Sequence, residues 1–205
     1  MSILKQAVAG ALALAAAATP MHAQNTAADL RTTLNGILAE HVYLASAATG
    51  AALGGRTDEF KRAAAALDAN SVALAGAIGS AYGSEAEGAF LELWRSHIGF
   101  FVDYTTALGR GDRAGQEAAV ADLTGYADDF AAFLASANPN LPKAGVRDLV
   151  RSHVLTLKAV VDAQQQRDWA RAYSRLREAS DHMRMIGDPV AGAIARQFPG
   201  KFAIK

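Results

Sequence analysis

Apolar side chains recur every three to four residues along six long runs of this chain, and short stretches of glycine, proline and small polar residues separate the runs. That spacing predicts amphipathic helices rather than strands. The first is expected over about 25–53, with Leu34, Leu38, His41, Ala45 and Ala48 on one face. Others are expected over about 58–79, 85–108, 112–136 and 143–165, with a sixth from near Arg167. Gly54-Gly55 is a stop signal, and Thr57-Asp58 is expected to cap the helix that follows. Asn138-Pro-Asn-Leu-Pro142 reads as the clearest loop, and Asp188-Pro189 is expected to kink or end the last helix.

The runs repeat. His41, His97 and His153 stand 56 residues apart, and the register holds around them. Ile37 coincides with Leu93 and Leu149, Leu74 with Phe130 and Ile186, and Gly54-Gly55 with Arg110-Gly111. This is the pattern of three tandem helical hairpins, over about 29–84, 85–140 and 141–196. One hairpin cannot bury its own apolar stripe. The expectation is therefore an all-α, six-helix bundle forming a single domain over residues 24–205. Hairpins around a pseudo-threefold axis would gather the three histidines; hairpins stacked in a row would keep them apart. The sequence leaves both arrangements open.

Composition narrows the chemistry. Lysine plus arginine and aspartate plus glutamate are balanced at 20 each, which gives no electrostatic footprint for a nucleic-acid partner. No phosphate-binding glycine loop, nucleotide fingerprint or nucleophile elbow is present, so no nucleotide cofactor is expected. The chain has no cysteine, which removes disulfides, thiolate ligands, thiol catalysis and covalent haem attachment. Lys5, the apolar run from Ala7 to Ala18 and the break at Pro20-Met-His-Ala23 read as an export signal over residues 1–23, cleaved near Ala23. The expected setting is periplasmic or secreted, with no membrane span after cleavage.

In a cysteine-free chain, a metal must be held by histidine, carboxylate, methionine or asparagine. One imidazole from each hairpin could form a three-nitrogen site for copper or zinc, with His182 as a candidate fourth ligand. His182 falls in register with Asn70 and Tyr126, so these three form a second set of polar residues on the apolar stripes. Asp103 could face inward and support a ligand, as could Asn70 and Tyr126. Met183 and Met185, beside His182, give that stretch a copper flavour, although methionines two apart cannot both share its face. Trp94, Phe100, Phe101 and Tyr104 surround His97, and an aromatic core layer accounts for them more readily than a ligand pocket.

Glu40-His41-Val-Tyr-Leu-Ala, Leu93-Trp-Arg-Ser-His97-Ile-Gly-Phe-Phe-Val-Asp-Tyr104 and Asp181-His-Met-Arg-Met-Ile-Gly-Asp-Pro189 resemble a poorly characterised family of exported bacterial helical proteins, some of which carry a copper-related label. The resemblance implies a bacterial periplasmic setting and favours copper; it assigns no residue a role. The leading expectation is an exported metal-binding protein for sequestration, delivery or sensing, whose partners are the metal ion and a second periplasmic protein. The alternative is a metal-free helical interaction module whose histidines are bonded within the core. A metalloenzyme ranks last, because no catalytic residue, acid–base pair or nucleophile is identifiable.

Overall fold

A computed structural model describes residues 26–202. The export signal expected over residues 1–23 lies outside them. Six helices follow one another: α1 Ala27–Leu53, α2 Thr57–Tyr82, α3 Ser84–Arg110, α4 Arg113–Ala137, α5 Lys143–Gln165 and α6 Trp169–Gln197. The second helix of each hairpin begins at Thr57, Arg113 or Trp169, which keeps the 56-residue interval of the sequence.

The turns inside the hairpins are copies of one another down to single hydrogen bonds. Gly55, Gly111 and Arg167 occupy the same place and share a left-handed backbone, at φ 68°, 69° and 55°. Their N–H groups donate to the carbonyls of Ala52, Leu108 and Gln164. The next N–H groups, of Arg56, Asp112 and Asp168, donate to Ala51, Ala107 and Ala163. These paired bonds are those of a Schellman motif, which satisfies the last carbonyls of a helix while reversing the chain. Asp112 and Asp168 then cap α4 and α6 through the N–H groups of Gly115 and Arg171. The first hairpin departs from this. Its cap position is Arg56, with no side-chain cap bond, and Thr57-Asp58 already lies inside α2 instead of capping it.

Pro189 does not end the last helix either, since α6 continues through it to Gln197. Proline removes the hydrogen bond to the carbonyl four residues back. Met185 and Pro189 both lie on the solvent-exposed face, where that carbonyl can be hydrated.

The hairpins close into a ring. The first helices α1, α3 and α5 touch one another, and each second helix lies against two of them: α2 against α1 and α3, α4 against α3 and α5, α6 against α5 and α1. Three inner helices with three outer ones in the grooves make the pseudo-threefold arrangement, and the stacked alternative is ruled out. At the end away from the hairpin turns, Asn138 Nδ2 donates to Tyr82 Oη, Tyr82 Oη to Gln197 Oε1, and Gln197 Nε2 to the Ala137 carbonyl, each at 2.9 Å. One residue from each hairpin thus ties that end shut.

Candidate metal centre

The three copied histidines sit midway along the inner helices, on stripes that face the bundle axis. Closure of the ring brings them together. His41, His97 and His153 each present a ligand nitrogen, and the three nitrogens lie within 4.8 Å of one another. Ring centroids are 5.4 Å apart for His41–His97, 5.9 Å for His41–His153 and 6.4 Å for His97–His153. The side chains are 1–3% exposed. Among the described residues, none of their six ring nitrogens has a hydrogen-bond partner. The Trp94 carbonyl, one turn before His97, raises the pKa of that ring against the larger effects of burial and His153, although it lies outside good hydrogen-bond geometry with either ring nitrogen.

This arrangement is costly unless something else meets the nitrogens. A buried polar group with no partner forfeits about 1–3 kcal/mol, and a neutral imidazole carries both a donor and an acceptor. Burial also holds the rings neutral. It lowers the pKa of His97 and of His153 to about 3, helped by His153 in the first case and by His41 and His182 in the second. His41 is likewise held well below its usual value, by burial and then by His97. Neutral imidazole is the metal-binding form, and three nitrogens around one ion stand roughly 3.3–3.6 Å apart for bonds of 2.0–2.1 Å. Rotations of unbonded rings by about an ångström cover the difference from 4.8 Å. The residues fit a single ion.

The wall of the cluster is aromatic and aliphatic. The indole of Trp94 meets His97 edge-on at 4.6 Å and His41 at 4.9 Å, and its own N–H is buried without a partner. The Tyr126 ring stacks on His97 at 4.8 Å, 26° from parallel, with its hydroxyl buried and unpartnered. Burial raises the pKa of that phenol well above its ordinary value, so it stays protonated.

The other candidate residues lie elsewhere. His182 is not a member of the cluster: its Nε2 is 2.9 Å from the Leu149 carbonyl. Asn70 makes the equivalent contact in the first hairpin, donating to the Ile37 carbonyl at 3.0 Å and to Glu40 Oε2 at 2.7 Å. Both contacts span 33 residues and end on the carbonyl four residues before the copied histidine. The second polar set therefore ties outer helices to inner ones in two hairpins, and only Tyr126 touches an imidazole. Asp103 is exposed on α3, between Phe101 and Tyr104 of the buried stripe and off the face that carries His97. Met183 is packed in the core and Met185 is 56% exposed, so the two sulfurs do not share one face of α6.

Two features were missed by sequence reasoning. Trp94 is in direct contact with two of the three imidazoles, although it reads as ordinary aromatic core. A cavity of about 170 Å³ also reaches His41 and His97 from the side of the hairpin turns. A residue-by-residue comparison of the repeats carries the signal for it: Ala45 stands where the other hairpins have Phe101 and Leu157, and Ala48 where they have Tyr104 and Val160. In comparisons with known proteins, no family model, no curated protein and no solved structure matches this chain.

Proposed function

We propose that this protein binds one metal ion through His41, His97 and His153, with copper(I) favoured over zinc(II), and that it serves to sequester, deliver or sense that ion. The observation carrying this reading is the gathering of three neutral imidazoles whose six nitrogens are all unpartnered in a buried, apolar setting. Histidines that merely knit the core would be bonded there, as Asn70 and His182 are. The preference for copper(I) rests on charge. Among the described residues no carboxylate belongs to the cluster, so an ion entering it keeps its full charge in a medium of low dielectric. That penalty grows with the square of the charge, which makes a monovalent ion roughly four times less costly to bury than a divalent one. The export signal expected at residues 1–23 would put the site in the periplasm, where delivery requires a second periplasmic protein.

The test is anaerobic titration of the metal-free protein with copper(I) and, separately, zinc(II), against a competing chelator. Elemental analysis reads the stoichiometry. Trp94 reports occupancy through its fluorescence in a Trp169→Phe background, because these are the chain's two tryptophans. One equivalent of copper held more tightly than zinc is expected. Metal content no higher than that of a variant with all three histidines replaced by leucine would refute the proposal.

A further inference from the structure

The cavity beside the histidines exists because the repeat is imperfect. Its floor is His41 and His97, both 1% exposed and without partners for their nitrogens. Its walls come from α1, α2 and α3, chiefly Ala45, Ala48, Leu67 and Phe101, with Leu157 of α5, and it reaches the surface at Ala52, Val102 and Thr106. Where α1 has alanine at 45 and 48, α3 has Phe101 and Tyr104 and α5 has Leu157 and Val160. Bulk absent from one hairpin leaves a chamber on one side of the cluster. On the other side Phe90, Trp94 and Phe130 fill the space.

We propose that this chamber admits a small uncharged molecule to an open coordination position on the histidine-held ion. The inference rests on the metal reading above. A three-nitrogen ligand set leaves a fourth position for an exchangeable ligand. The chamber abuts two of the three imidazoles, so a molecule in it meets the ion. Its volume of about 170 Å³ is comparable to apolar cavities that take up xenon or benzene. Its chemistry selects against ions: no charged side chain lines it. The two buried hydroxyls in its wall are engaged, Thr49 Oγ1 donating to Gln164 Oε1 at 2.8 Å and Thr105 Oγ1 to the Phe101 carbonyl at 2.7 Å. The fitting ligand class is therefore a small, largely apolar molecule with one lone-pair donor atom, such as a diatomic gas.

Two probes test this on the full-length mature protein. Xenon titrated into the metal-free protein should shift the methyl resonances of Ala45, Ala48 and Leu67. Carbon monoxide added anaerobically to the copper(I)-loaded protein should give one infrared C–O stretching band, scaled to the copper loaded. Ala48→Val installs the residue that the third hairpin carries at Val160 and should weaken carbon monoxide binding at least tenfold. Val102→Trp, at the exposed mouth, needs no repacking of the core and should slow carbon monoxide association at least tenfold. Copper-loaded protein that gives no band overturns the chamber alone, as does a band with the same affinity and association rate in both variants. Absence of copper loading overturns the chamber and the metal reading together. Xenon shifts confined to residues away from the chamber overturn its role as a gas-accessible space.

Discussion

Each buried imidazole poses the same accounting question, namely where its N–H and its lone pair find a partner. At His182 the Leu149 carbonyl supplies one. At His41, His97 and His153 nothing among the described residues does, and the two outcomes can be told apart by substitution. His153→Leu should lower metal affinity by two orders of magnitude or more. The same change should leave the metal-free fold as stable or make it more stable by about 1 kcal/mol, since it removes an unsatisfied polar group from the core. Competition titration and urea denaturation measure the two effects. A histidine with a structural bond would show the opposite pattern. The pH dependence follows from the same burial. The folded pKa of His97 and His153 is about 3, against an ordinary value of 6.5. Between those values the unfolded chain takes up protons that the folded one refuses, so stability falls as pH drops from about 6.5 toward 3 and is level above 6.5 on this account. Replacing all three histidines by leucine should flatten that slope, as seen in denaturation midpoints at pH 7.5, 5.5 and 4.5. The carboxylates outside the cluster are common to both proteins and drop out of the comparison. The identity of the three histidines was legible in the sequence because a copied polar residue on an apolar stripe stands out. The exclusion of His182 was not, because its partner is a backbone carbonyl, and carbonyls leave no mark in a sequence.

Among the elements, the hairpin turn is the unit that was copied most faithfully. Its left-handed residue is glycine twice and arginine once, at Gly55, Gly111 and Arg167. A side chain in that conformation is strained by roughly 1 kcal/mol relative to glycine. Arg167→Gly should therefore stabilise the protein by about 0.5–1 kcal/mol, less whatever the extra freedom of the unfolded chain removes. Thermal melts of the two proteins would check it. Helix number and boundaries were readable from periodicity, and the turn residues were readable from Gly54-Gly55 and Gly109-Arg-Gly111. Pro189 does not end α6, which runs on to Gln197 with the carbonyl that Pro189 frees on its exposed face. The sequence does not say which face of α6 is wet until the neighbours of that helix are known.

At the scale of the whole molecule, the decisive fact is closure. The repeat interval was visible in the chain, yet ring and row arrangements bury similar apolar stripes, so periodicity alone could not separate them. Contacts of α6 with α1 complete the ring, and Asn35 of α1 donates to Asp188 of α6 at 2.8 Å. Because α1 and α6 lie side by side in a ring of alternating directions, the start of one is beside the end of the other. A closed circle of three like-folded hairpins has no privileged place to begin. Cutting the chain between Pro139 and Asn140, both exposed, and joining residue 202 to residue 26 through a short flexible linker should give a permuted protein that still folds. Such a protein should bind the same single equivalent of metal, as circular dichroism and elemental analysis would show. In the permuted order the hairpin bearing His153 is synthesised first and the one bearing His97 last, so the ion would wait on a different imidazole. The order in which the ligands arrive is a property of the gene, whereas the site they make is a property of the circle.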